Sequence, residues 1–481
     1  MTITLARTDG SYEQLSDDAV AEFRSFLRGP LVTAEELGGP REPRPVWNAM
    51  HEERPAASIR CCGTADVIDA VNFARDRGLA VAVRGGGHSV AGLSTVQDGL
   101  LIDLSSMRGV QVDPDRRLAH VQGGALLGDM DRETQAFGLA TPLGRVSETG
   151  VAGLTLGGGY GHLNSKYGLS CDNLVEAQVV CADGSVHTAS AESEPDLLWA
   201  LRGGGGNFGV VTSFTFRLHP VGPVVAFVGA MYAIEDLPEV ERGWRDYVLD
   251  APDEVTSLIV TLTFPAAPDM PEVVHNRQLA IVAAVHCGPD PDEGMQTLQP
   301  LRQLGTPVFD LSQPMPYTAV QASFDPFFPR GELRAYWKSL YLDELTDDAI
   351  DAIARRATDA DRPGPMTLVN TFHLGGAVHA VGQQDTAFAE RSSPFMVSID
   401  TMWSDPDQDA AAIAWGRASW EEMSKYGNGK VFLNFTGRAD ETLQSGTTAM
   451  YGPNAQRLGR IKAAYDPTNL FQLNNNIVQT A

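Results

Sequence analysis

Val83-Arg84-Gly85-Gly86-Gly87-His88-Ser89 sets three successive glycines and an imidazole at the end of a short apolar run, Leu79 to Val83. Consecutive glycines let backbone N–H groups converge with no Cβ between them, a geometry that suits a pyrophosphate. His88 adds a nitrogen nucleophile that is mostly neutral at physiological pH. Taken alone, the run is equally an ordinary tight turn with an incidental histidine.

Two further clusters change its weight. Thr149 to Gly161 carries six glycines (150, 153, 157, 158, 159 and 161) among mostly small residues. In an ordinary helix or strand they would be costly; they make sense where a broad planar group such as an isoalloxazine lies against the backbone. Arg202 to Gly209 offers the same permissiveness just before a strand-like run. No GxGxxG opens a helix in the right place and no GxxxxGK[ST] occurs, which sets aside the Rossmann and P-loop readings.

The elements that must hold these loops follow from periodicity. A helix is expected from Thr64 or Asp66, with Val67, Ile68, Val71 and Ala74 on one face and Gly78 as its stop. Strands are expected at Leu79 to Val83, Leu100 to Leu104, Leu118 to Gln122 and Ala177 to Cys181, the last turning through Asp183-Gly184 into Ser185 to Ala189. A break at Gly38-Gly39-Pro40 precedes this body, and His219-Pro220 closes it. Beyond it, long strands (Val255 to Phe264, Gln278 to His286, Met366 to Leu374, Phe395 to Trp403) alternate with helices (Glu239 to Val248, Asp347 to Thr358, Ala410 to Lys425). Their irregular apolar pattern points to an antiparallel sheet with helices on one face.

Composition limits the partners. Sixty-one acidic against 36 basic residues give a formal charge of -25 over 481 residues, which repels nucleic acid and anionic membrane. No run approaches the roughly 18 apolar residues of a membrane span, and the start has no secretory pattern, so a cytoplasmic location is expected. Five cysteines without ligand spacing argue against a disulfide framework or a metal site.

VRGGGHS at 83–89, TGVAGLTLGGGYG at 149–161, KYGLSCDNL at 166–174, ALRGGGGNFGVV at 200–211 and YDPTNLFQLNNNI at 465–477 together resemble the berberine bridge enzyme-like FAD-linked oxidoreductases, of the vanillyl-alcohol oxidase class. The resemblance implies an α+β fold: a PCMH-type FAD-binding domain of two α/β subdomains (1–222, core 55–222), an inserted antiparallel-sheet substrate domain (223–430), and a C-terminal segment (431–481) returning to the FAD domain.

It also implies roles. His88 stands where the family joins a histidine to the flavin 8α-methyl. Val146 stands where many relatives carry a second, cysteine link, so FAD is expected to be attached at His88 only. Arg84, Gly85, Gly86, Gly87 and Ser89 should surround the pyrophosphate. Ser147, Thr149, Gly150, Gly153 and Leu154 should line the ribityl and ring region, and Thr149 falls where some relatives gate oxygen. Val210 should lie near the adenine and Asn476 near the ring, with Asn474 also binding the cofactor.

Catalysis in the family removes a proton while hydride passes to the flavin. Tyr160 matches a substrate-facing tyrosine, and a phenol needs a cationic neighbour to act as a base near pH 7; Lys338 is the candidate. Where relatives often read Tyr-x-Asn-Tyr, this chain has Phe432-Leu433-Asn434-Phe435, leaving Asn434 as the polar contact, with His373, His379 and Tyr451 as open alternatives for the base. The expected function is oxidation of a small alcohol, sugar or secondary metabolite, with O2 as acceptor. A dehydrogenase with another acceptor and a non-catalytic flavin-binding protein are the alternatives.

Overall fold

A computed structural model describes residues 3–36, 46–266, 271–437 and 450–477; the Gly38-Gly39-Pro40 break lies outside them. Three sheets carry the architecture. A four-stranded sheet, in the order Leu31–Thr33, Ala57–Arg60, Leu100–Asp103, Val81–Arg84, is parallel in its last three strands. The helix Thr64–Arg77 makes the crossover between two of them and stops at Gly78, whose φ of 63° is left-handed, a conformation glycine adopts without a Cβ penalty. The expected side-chain cap is absent, because Gly63 is the N-cap. Asp66 instead accepts from the backbone N–H groups of Arg28, Gly29 and Cys62, fastening the preceding loops to the helix.

The second sheet has five strands in the order Val186–Ser190, Leu174–Val180, Val210–Arg217, Leu118–Gln122, Val110–Asp113, all antiparallel. Its core also takes Leu458 and Ile461 from the helix Ala455–Tyr465 and Ile477 beyond it.

The third sheet has eight antiparallel strands drawn from between Val224 and Trp403. The helices Leu237–Leu249, Asp347–Ala357 and Asp409–Met423 pack on one face. Side chains alternate across the pleat, so Val397 and Ile399 meet the helices while Met396 and Met402 belong to the opposite face. That opposite face turns toward the glycine-rich loops. Among the described residues no helix is long and apolar enough to cross a membrane.

Glu241, on the helix Leu237–Leu249, is fully buried and accepts from the Thr371 hydroxyl through Oε1, while Oε2 has no partner. Burial raises its carboxyl from the ordinary 4.5 to about 7. The folded state therefore keeps a proton that the unfolded chain releases, and stability falls as pH rises from about 4.5 to about 7. Glu241→Gln is expected to stabilise the protein at pH 8 by up to about 3 kcal/mol and to add little at pH 4. Melting curves at the two pH values check this.

Candidate functional site

One cavity of about 360 Å³ lies between the glycine-rich loops and the open face of the large sheet. Gly85 to Ser89 line it from the end of the strand Val81–Arg84, and Thr149, Gly150, Gly153 and Leu154 from the next loop. Gly205, Gly206, Val210 and the tail residues Leu473 to Asn475 complete that wall. Gly86 and Gly150 pack backbone on backbone: a Cβ on Gly86 would sit 2.3 Å from the Gly150 nitrogen, so the two loops form one continuous surface. Part of the second cluster is helical after all, over Val151–Leu156, and a Cβ on Gly153 would meet nothing within 4 Å. That open face is shaped for a flat ring against a backbone. Asn474 ties the tail to the third cluster by donating to the Gly206 carbonyl at 3.1 Å.

His88 is half-buried in the cavity wall. Its ring stacks on Trp47 at 4.6 Å, and Nε2 is buried without a partner. Burial, reinforced by the positive charge of Arg330, drives its pKa to about 3, so the imidazole is neutral across the physiological range. Arg330 packs on the same loops, donating to the Gly86 and Glu148 carbonyls at 2.8 and 3.2 Å and pairing with the Glu148 carboxylate at 3.0 Å.

The facing wall comes from the large sheet: Leu258, Trp337, Asn370, Phe372 and Asp400, with Phe432, Asn434 and Phe435 beside it. Asp400 is the residue that sequence reasoning missed. It lies on the strand Phe395–Trp403, opposite Trp337 in register. Its carboxylate accepts from Asn370 Nδ2 at 2.8 Å and from the Ser398 hydroxyl. Burial raises its pKa to about 7, against the lowering by those two hydrogen bonds. Trp337 Nε1 and Asn370 Oδ1 are buried without protein partners, a donor and an acceptor in reach of a polar ligand.

Residues 55–190 match the family model described as FAD binding domain, and 431–478 the one described as berberine and berberine like. The chain is 32% identical over 462 residues to YgaK, an uncharacterized FAD-linked oxidoreductase of Bacillus subtilis (strain 168), covering 94% of this chain and 98% of that one. The chain belongs to the berberine bridge enzyme-like FAD-linked oxidoreductases. It is 34% identical to (R)-6-hydroxynicotine oxidase of Paenarthrobacter nicotinovorans over 268 residues, 55% of this chain and 56% of that one. Among solved structures, 6-hydroxy-D-nicotine oxidase from Arthrobacter nicotinovorans superimposes with a TM-score of 0.79 at 26% identity, covering 94% and 98% of the two chains. The BBE-like 1 protein of Physcomitrella patens shares the fold, with a TM-score of 0.84 at 22% identity over 96% and 99%. The glycine-backbone wall, the open face at Gly153 and the unpartnered His88 nitrogen fit the FAD of this family.

As a berberine bridge enzyme-like protein, the chain departs from expectation at several side chains. Lys338 is not beside Tyr160. On the strand Arg334–Leu342, Trp337 and Tyr341 face the cavity side, so Lys338 points to the helix layer, where its ammonium lies 4.5 Å from the Trp420 ring centroid. Lys338→Met is expected to leave kcat within twofold of wild type and to cost about 0.5–1 kcal/mol of stability, measured by steady-state kinetics and thermal melting.

Tyr160 does line the cavity, but its phenol is hydrogen-bonded to the Tyr341 hydroxyl at 3.0 Å and burial raises its pKa far above the ordinary 10. The cation near it, Arg391, is held by Asp172 at 2.6 and 2.8 Å. Burial outweighs the lowering of the Tyr160 pKa by the Tyr341 hydrogen bond and the Arg391 charge. Asn434 lines the cavity and donates to the Leu154 carbonyl at 3.0 Å, bracing the short helix that carries Gly153.

Arg84, Ser147 and Asn476 are not on the cavity wall. Arg84 Nε donates to the Ser94 carbonyl beneath the loop, and the Ser147 N–H donates to Asp325. Asn476 keeps a buried, unpartnered Oδ1. Val146 lines the cavity as an inert wall. Of the open alternatives for the base, Tyr451 binds the Asn475 carbonyl and His379 faces the Ser393 carbonyl, while His373 lies outside the cavity lining.

Proposed function

We propose that this enzyme is an oxidase that takes two electrons from a small hydroxyl-bearing metabolite and delivers them to oxygen, with Asp400 as the proton acceptor. The observation that carries the reading is a single carboxylate in the substrate wall, tuned to about pH 7 and facing the FAD-binding loops across one cavity. A base poised near the working pH gives the best compromise between being deprotonated and being basic. FAD held by the glycine-rich loops would supply the two-electron acceptor chemistry, with oxygen as the final acceptor.

The chain's own part is to hold the reacting groups. Asp400 takes the substrate hydroxyl proton, which lets the adjoining C–H leave as hydride. Asn370 and Ser398 aim the carboxylate, and Trp337 Nε1 is placed to donate to a substrate oxygen. The phenylalanines at 324, 328, 372, 432 and 435 exclude water from the reacting carbon. The similarity to 6-hydroxynicotine oxidases supports the oxidase assignment.

The neutral imidazole of His88, its Nε2 buried without a partner, supports a covalent bond to the flavin there, and Val146 a single one. We infer the same division of labour along the chain: 1–222 with 431–481 for the cofactor, 223–430 for the substrate. Mixing substrate-reduced enzyme with air-saturated buffer tests the acceptor. Reoxidation faster than turnover is expected; reoxidation much slower than turnover with a quinone assigns a dehydrogenase instead.

A further inference from the structure

Arg145 carries a half-buried guanidinium that has no carboxylate partner among the described residues. It projects from the loop between Leu139–Ala140 and the helix Val151–Leu156, lines the cavity, and lies 5.4 Å from the centroid of the Phe372 ring. Nη2 donates to the Gly161 carbonyl at 2.9 Å; Nε is buried without a partner. Its electrostatic neighbour is Tyr317, and among the described residues no carboxylate acts on it. Burial lowers its pKa to about 10, which leaves it charged at neutral pH.

The surroundings do not offset that charge. His162 is 1% exposed, neither of its ring nitrogens has a partner, and burial and Arg145 together hold it neutral. The Tyr317 hydroxyl is also buried and unpartnered. Asp131, the acid whose charge acts on Tyr317, is bonded to Gln321 and has its pKa raised to about 7 by burial. A largely desolvated cation without a carboxylate partner is costly, and this one sits in the cavity wall, where it meets the Gly161 carbonyl and the Phe372 ring. An arriving anion completes the pair.

We propose that Arg145 binds an anionic group of the substrate, and that the substrate class is a flat, aromatic carboxylate. The planar fork of a guanidinium matches a carboxylate in two parallel hydrogen bonds. Phe324, Phe328, Phe372 and Phe435 provide an apolar, aromatic bed next to it. Asp400 lies on the same cavity wall as Phe372, so a substrate anchored at Arg145 brings its oxidisable carbon toward the base. The assignment rests on the reading of this cavity as the substrate site; it does not depend on oxygen as the acceptor.

Benzoate and its neutral isostere benzamide test it on the FAD-loaded enzyme, read by the flavin difference spectrum and, independently, by the ligand-induced rise in melting temperature. Benzoate is expected to bind at least tenfold more tightly than benzamide. Arg145→Gln should abolish that preference and Arg145→Lys keep part of it. Equal binding of the two probes to the wild-type enzyme, no binding of benzoate at millimolar concentration, or a preference that survives in Arg145→Gln overturns the proposal. Slow reoxidation by oxygen with the benzoate preference intact would remove the oxidase reading and leave this one standing; loss of the preference with fast reoxidation does the reverse.

Discussion

Asp400→Asn is expected to lower kcat by a factor on the order of 10²–10⁴ while leaving the FAD content and visible spectrum unchanged. The amide keeps the size of the side chain but cannot accept the substrate proton. In the wild-type enzyme the carboxyl titrates at about 7, and the base is the deprotonated form. Turnover should therefore fall as pH drops through 7 and level off above it, and this limb should vanish in the variant. The sign of the stability effect is opposite. A raised folded-state pKa means that the native protein loses stability as pH rises from about 4 to about 7, so Asp400→Asn should melt at a higher temperature than wild type at pH 8. A slower but more stable variant is the signature of a group kept for chemistry at the expense of packing. Turnover within threefold of wild type would remove Asp400 from the mechanism.

The two walls of the site were not equally legible. The cofactor wall is made of backbone, and glycines advertise backbone exposure directly. Three clusters in order located the loops, and the elements around them followed from spacing and stop signals such as Gly78. The substrate wall is made of side chains on long strands, where function depends on which way a residue points. Lys338 was misplaced by one step of the pleat: its neighbours Trp337 and Ser339 face the cavity side and it does not. Asp400 carries no motif, and its signal was a lone carboxylate in the apolar run Phe395-Met396-Val397-Ser398-Ile399-Asp400-Thr401-Met402-Trp403. A charge in a strand buried on both faces is costly unless it works. Tyr160 shows the converse limit. Its place in the cavity wall followed from its loop, but its protonation is set by burial, opposed in part by the Tyr341 hydrogen bond and the Arg391 charge, and all three arrive only with the fold.

His88→Ala is expected to convert the flavin from fully retained to fully released on acid precipitation. The wild-type imidazole meets the requirements of a nucleophile toward the ring edge: it lines the cavity, it is clamped between Trp47 and the glycine loop, and its pKa of about 3 keeps a lone pair available at any working pH. Val146 offers no sulfur, so no second bond remains to hold the cofactor once His88 is gone. Peptide mapping of the wild-type protein should find the His88 peptide carrying the flavin mass and the Val146 peptide unmodified. Arg330→Met refines the argument, because Arg330 lowers the imidazole pKa and bridges the Gly86 and Glu148 carbonyls. Removing it should slow covalent incorporation without preventing FAD binding, since the glycine surfaces that hold the cofactor stay in place. An unmodified His88 peptide in flavin-saturated wild-type protein would reduce the histidine to a packing partner of Trp47.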